Sequence, residues 1–130
     1  MIDTSTIAAR GTDFHTLAKE RIIPTDRATA WADWASADGI DRWGGPAGSN
    51  IDLRIGGPFE LFFLADAEPG QRGSDGCVYL SYLPNEMISF TWNAPPHLSL
   101  RTTNTWVVIT FTDADEGGTR VRLTHAGFLE

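Results

Sequence analysis

Asn50-Ile-Asp-Leu-Arg-Ile-Gly-Gly-Pro-Phe-Glu-Leu-Phe-Phe63 is where the chain changes period. Ile51, Leu53 and Ile55 alternate with Asn50, Asp52 and Arg54, and Phe59, Leu61 and Phe63 alternate with Glu60 and Phe62. Successive side chains of a strand point to opposite faces, so the pattern reads as two strands with one apolar and one wet face. Gly56-Gly57 between them reads as a tight turn or a bulge that bends the sheet. Downstream the period persists. Cys77 to Leu83 and Met87 to Trp92 are strands flanking Pro84-Asn85, and Thr105 to Thr112 is a β-branched strand. After the acidic, glycine-rich turn Asp113 to Gly118, Val121, Leu123 and His125 alternate with Arg120, Arg122 and Thr124. A polar loop covers 65–76 and a Pro-Pro loop surrounds Pro95.

Upstream the period is different. Phe14 to Ile23 reads as a strand of imperfect alternation that Pro24 stops. Thr25 or Asp26 then offers a side-chain oxygen to an orphan backbone N–H, so Asp26 to Ala37 reads as a helix. Ala28, Trp31 and Ala35 share one stripe of it, with Ala30 and Trp34 beside them. Ser36 to Trp43 reads as a second short helix, weakened by Gly39 and ended by Gly44-Gly45-Pro46. Residues 1–12 are small and polar and are expected to be loosely ordered. The fold class is therefore α+β: six or seven strands in an antiparallel sheet, with one or two short helices after the first strand.

The bulk properties narrow the function. The 130 residues suit one domain, and 42% hydrophobic with 21% charged residues is a globular balance. The formal net charge is −7 and the ten basic residues are scattered, which argues against nucleic-acid partners and anionic membrane surfaces. One cysteine, Cys77, excludes an internal disulfide and a Cys-rich zinc site. The first ten residues carry neither a basic nor an apolar leader signature, and no apolar run is long enough for a membrane span, so the expected compartment is the cytoplasm. Five Trp and seven Phe are many for this length. They imply a large core or an aromatic-walled pocket.

Several segments in order carry a family resemblance: the strand ending at Pro24, the Ala-rich helix, Trp43-Gly-Gly-Pro46, Ile51-Asp-Leu-Arg-Ile-Gly-Gly57, Ile88-Ser-Phe-Thr-Trp92 and Gly118-Thr-Arg-Val-Arg-Leu-Thr-His-Ala-Gly-Phe128. Over about residues 14–128 the chain resembles the bacterial proteins similar to the C-terminal domain of the Hsp90 ATPase activator Aha1, within the START-like (SRPBCC, Bet v 1-like) superfamily. The resemblance implies a helix-grip fold, in which a curved antiparallel sheet wraps a long C-terminal helix and leaves a cavity. It also implies binding of lipids, sterols, polyketides or other apolar molecules, or cyclase and aromatase chemistry. Two departures stand out. Gly44 replaces the second of two aromatic residues common before the Gly-Pro. The long C-terminal helix is absent: the sequence stops at Phe128-Leu-Glu130, which fits a truncated or naturally short form, and Leu129-Glu130 also fits a cloning scar. An open apolar sheet face is rare in a monomer, so a homodimer covering that face is expected.

The candidate ligand-binding residues follow from the alternation and the helical stripe: Trp34, Trp43, Leu53, Phe59, Leu61, Phe63, Phe90, Trp92, Val107, Ile109 and His125. Ile51, Ile88 and Phe111 share their sheet face by the same count. The plainer reading is that these side chains pack on one another as core. His125 shares parity with Val121 and Leu123, and its ordinary pKa suits acid–base work near neutrality, although a hydrogen-bonded structural role is the commoner one. His15 and His97 are far apart in sequence and no spacing resembles a metal site. Asp52 and Arg54 read as a solvated ion pair. No nucleophile motif occurs, so no catalytic residue and no cofactor is assigned. The expected function is non-enzymatic binding of an apolar small molecule in a sheet-lined cavity. The alternatives are an Hsp90 co-chaperone-like interaction domain and a polyketide cyclase or aromatase-like enzyme.

Overall fold

In the computed structural model residues 14–93 and 104–129 are described. The chain runs β1 (Phe14–Ile23), α1 (Arg27–Ala35), α2 (Ala37–Trp43), β2 (Ser49–Ile51), β3 (Phe59–Leu61), β4 (Tyr79–Leu83), β5 (Met87–Trp92), β6 (Thr105–Asp113) and β7 (Thr119–Leu129). The architecture is α+β with seven described strands. Five form a curved antiparallel sheet in the order β1-β7-β6-β5-β4, and β2 and β3 form a two-stranded sheet. β4 to β7 are consecutive neighbours, as a meander requires, and β1 closes the far edge against β7. A bridge between Pro58 and Val78 ties the small sheet to the start of β4.

The helices begin where capping chemistry lets them. Asp26 accepts from the Thr29 N–H at 2.8 Å and starts α1. Ser36 serves two ends. Its N–H donates to the Ala32 carbonyl and closes α1, while its Oγ accepts from the Gly39 N–H and opens α2. Gly39, read from sequence as a weakness, is a packing requirement. A Cβ there would lie 2.2 Å from the Ala32 carbonyl oxygen, so only glycine lets the helices fold against each other this closely. Two side-chain bonds then fix the pair over the sheet. Trp31 Nε1 donates to the Met87 carbonyl at 2.9 Å, and Tyr79 Oη donates to the Trp34 carbonyl at 2.7 Å. The core lies between, with Ile40, Phe59, Tyr79, Ile88, Ile109 and Phe111 almost fully buried.

The structure corrects several boundaries. The strand expected over Ile51, Leu53 and Ile55 ends at Ile51, and Ile55 is 74% exposed. The Asp52 N–H still bonds Pro58, but the chain then turns through Gly56, whose φ is +79°. A Cβ on Gly57 would meet the Asp52 carbonyl at 2.2 Å, so the diglycine makes a tight turn. Phe59 and Leu61 face inward as alternation predicts, but β3 ends there. Phe62 is buried and Phe63 is exposed, the reverse of the expected parity. The cause is the loop that follows: Phe63 N–H bonds the Arg72 carbonyl, and the Arg72 guanidinium lies 4.2 Å over the Phe62 ring. The last strand reaches Leu129 instead of ending near His125, pairing its final residues with Phe14 and His15. No long C-terminal helix is present among the described residues. Residues 1–12 and the loop of Pro95, Pro96 and His97 lie outside the described residues.

Candidate functional site

Partner residues across an antiparallel pair share a face. Phe90 pairs with Val107 and Val107 with His125; Ile88 pairs with Ile109 and Ile109 with Leu123; Trp92 pairs with Thr105. These rows form the concave face of the sheet. In its lower row Ile88 and Ile109 are fully buried, with α1 packed against β5 and β6. The next row, toward Trp92 and His125, is only partly covered. A cavity of about 220 Å³ opens there, walled by Trp34, Trp43, Phe59, Phe90, Trp92, Val107, Leu123 and His125.

Each wall has a cause. Trp43 Nε1 donates to the Asp33 carbonyl at 2.7 Å, which holds the α2 indole back against α1, and the Trp34 and Trp43 ring centroids are 4.5 Å apart. Trp34 stacks near Phe90 at 6.1 Å with an interplanar angle of 16°, so the helical wall is parallel to the sheet wall. Phe59 stacks on Phe90 at 3.9 Å. Its position depends on Ser74, a fully buried residue whose Oγ accepts from Leu61 N–H at 2.8 Å and donates to the Phe59 carbonyl at 3.1 Å. Ser74 in turn sits in a loop tied by Asp75, which accepts from the Arg72, Gly73 and Gly70 N–H groups. Burial pushes Asp75 up, but those N–H groups together outweigh it and hold the carboxyl below the usual carboxylate range. Gly45 completes the fit, since a Cβ there would lie 2.0 Å from the Phe62 carbonyl oxygen.

The polar end is His125. Its Nε2 and the Thr105 Oγ are 2.6 Å apart. Partial burial lowers its pKa from the ordinary histidine value, so the ring is neutral at pH 7 and carries one donor and one acceptor. The indole N–H groups of Trp34 and Trp92 make no hydrogen bond among the described residues, whereas those of Trp31 and Trp43 do. The arrangement is therefore an aromatic slot with one hydrogen-bonding pair at its end. That is the chemistry of a pocket that takes a flat or flexible apolar body and orients it by one polar atom.

Seven of the eleven residues expected from sequence line this cavity: Trp34, Trp43, Phe59, Phe90, Trp92, Val107 and His125. Four do not. Leu61 and Ile109 lie beneath it in the sealed core, Leu53 packs at the core's margin, and Phe63 faces solvent. Leu123 lines the cavity and was missing from the sequence set, although it sits between Val121 and His125 in the alternation that pointed to His125. Asp52 and Arg54 form the expected exposed ion pair at 2.7 Å. Cys77 is buried. A wider, shallower hollow of about 780 Å³ lies between the end of β1 and the β6–β7 turn, lined by Asp26, Asp113, Glu116 and turn backbone. Its lining mixes these carboxylates with Ile22, Ile23, Pro24 and Ala114 and holds no aromatic ring. Among the described residues no three of His, Cys, Asp and Glu gather as a metal-binding set, and no helix is long and apolar enough to cross a membrane.

Residues 24–130 match the model of the family described as Activator of Hsp90 ATPase homolog 1-like protein. No curated protein sequence matches the chain. Among solved structures, a Mesorhizobium loti protein is similar at 20% identity and a TM-score of 0.62, over 88% of this chain and 77% of its own. An AHSA1-like protein from Rhizobium etli is similar at 20% identity and a TM-score of 0.59, over 88% of this chain and 66% of its own. A Mycobacterium smegmatis protein is similar at 23% identity and a TM-score of 0.63, over 85% of this chain and 71% of its own. Identities this low speak for the shared fold alone.

Proposed function

The chain belongs to the family of Activator of Hsp90 ATPase homolog 1-like proteins, and from that premise we propose that it binds an apolar small molecule in the Trp34–His125 cavity without transforming it. One observation carries the reading. Residues from two helices and four strands converge on about 220 Å³ of space that they leave unfilled, while Phe59 and Phe90 among them are otherwise packed in the buried core. Protein interiors close-pack, and an unfilled aromatic slot costs dispersion contacts that a ligand would restore. The size suits a small ligand. An engineered cavity of about 150 Å³ holds benzene, so this one accommodates a body of about two fused rings or a short alkyl chain.

The experiment is a titration of intrinsic Trp fluorescence with 1-naphthol and 1-decanol, backed by calorimetry. Saturable quenching that is lost in Trp43→Ala supports the reading. No heat and no spectral change with either probe would refute it.

The His125–Thr105 pair is the observation that favours a second reading, acid–base chemistry on a bound substrate. A neutral imidazole in a slot could accept a proton from a ligand hydroxyl. If an activity is found and His125→Ala leaves it unchanged, this second reading is lost. The family's description names Hsp90 ATPase activation. A pull-down with the host's own Hsp90 tests that directly.

A further inference from the structure

The inner face continues past the cavity onto β1, and there its chemistry changes sign. Leu17 pairs with His125, Lys19 with Leu123, Arg21 with Val121 and Ile23 with Thr119. Since His125 and Leu123 line the cavity, Lys19 and Arg21 lie on the same concave side. A strand position opposite Leu123 would ordinarily be apolar. Here it holds the only lysine of the chain.

Neither cation has a carboxylate partner among the described residues. The Lys19 side chain has no hydrogen bond or ion pair there, and the Arg21 side chain donates only to the Glu20 carbonyl, from Nη1 at 2.9 Å. By contrast Arg27, Arg42, Arg54, Arg72 and Arg120 each lie within 4 Å of a carboxylate oxygen. Arg122, the remaining described arginine, pairs with Glu20 in the ladder and so lies on the opposite face. The chain has 17 acidic residues against ten basic ones, so acids are not scarce. The nearby carboxylates are committed elsewhere: Asp33 bonds Arg42, and Glu20 reaches Arg120 on the outer face. Two cations on one concave face are thus left without an ion-pair partner among the described residues.

They border a second groove of about 280 Å³ whose floor is Ile23, Ala30, Val121 and Leu123, and whose rim also carries Glu20 and Asp33, each within 4 Å of an arginine, Arg120 and Arg42. It shares Trp34 and Leu123 with the aromatic cavity, so the two hollows adjoin across that pair. The combined shape is an apolar slot leading to a cationic mouth. Resting on the reading above, we infer that the ligand is an amphipathic carboxylic acid. Its hydrocarbon part fills the slot and its carboxylate stands between Lys19 and Arg21. A guanidinium edge and an ammonium both match a carboxylate. Lys19 lies beside Leu123, and His125 is two residues farther along β7, about 7 Å. With the reach of the lysine side chain, head and tail are roughly 10 Å or more apart, the length class of a medium-chain acid.

The test compares decanoate with 1-decanol, which shares the tail and lacks the charge, by calorimetry and Trp fluorescence below their micellar or solubility limits. Decanoate is expected to bind at least about tenfold more tightly, a preference that shrinks with added salt because the cations are exposed. The double variant Lys19→Gln, Arg21→Gln is expected to lower decanoate affinity to that of decanol and leave decanol unchanged. Lys19→Arg is expected to keep the preference. Equal binding of both probes by the wild type, with no salt dependence, would overturn the inference while leaving the cavity reading intact. So would a folded double variant that keeps the preference. If neither probe binds, the cavity reading and this inference fall together. The wild-type comparison and its salt dependence decide the matter even if the double variant does not fold.

Discussion

Val107→Phe separates a ligand cavity from a core that merely looks open. Val107 is 5% exposed, stands between Phe90 and His125 in the ladder, and lines the cavity. Phenylalanine brings about four more carbons, and burying each is worth about 0.8 kcal/mol, so complete burial in unfilled space would stabilise by at most about 3 kcal/mol. The cavity is open on the side of Trp43, itself 43% exposed, so half that gain, about 1.5 kcal/mol, is the working value. In a core already at native density the same substitution overpacks and costs about 1–3 kcal/mol. The sign of the change therefore reports whether the space exists. Urea unfolding would show a higher midpoint at unchanged slope, and Tm would rise by roughly 6 °C. A ring in a cavity of about 220 Å³ leaves too little room for a second ring, since about 150 Å³ is what benzene takes. Binding of 1-naphthol should therefore be lost in the same variant. A variant destabilised by more than 1 kcal/mol that still binds the probe would refute the reasoning.

Three other outcomes follow from the same structure. Burial lowers the His125 pKa in the folded chain; the unfolded chain keeps about 6.5 and so takes up the proton first as pH falls. Stability should therefore decline as pH drops from about 6.5 toward the folded value, level off below it, and be unaffected above about 6.5. Urea unfolding between pH 8 and 5 should show this component in the wild type and not in His125→Gln; parallel profiles, or an NMR titration of His125 at or above the ordinary value, would contradict it. Ser74→Ala leaves the buried Leu61 N–H without its acceptor and is expected to cost about 1–3 kcal/mol in chemical denaturation, while an unchanged midpoint would mean that water replaces the hydroxyl. We propose that the homodimer expected from sequence forms over the exposed inner edge of β1, where Leu17 is 58% exposed; sedimentation velocity at rising concentration should show a dimer that Leu17→Glu weakens, and a clean wild-type monomer at high concentration would dismiss it.

What could be read from residues alone was whatever depends on neighbours in sequence. The sheet period of Met87 to Trp92 and Thr105 to Thr112, the stop at Pro24 and the cap at Asp26 are local chemistry, and the structure places elements there. The same alternation put Phe90, Trp92, Val107 and His125 on one face, because a regular strand leaves no choice. It failed where the strand itself ended early. Ile55 and Phe63 belong to a sound period-two pattern, but Gly56 at positive φ and the Arg72 contacts take the chain out of the sheet. Arg72 reaches back from the following loop to Phe62 and Phe63, which the period-two pattern of the strand does not encode. The division of the inner face into sealed core and open slot was likewise a tertiary decision. Ile109 and Val107 are alike as residues, yet Ile109 is sealed in the core and Val107 lines the cavity. The position of Lys19 is the sharpest case. Its charge is written in the sequence, but that it faces the ligand side depends on its pairing with Leu123, more than a hundred residues away.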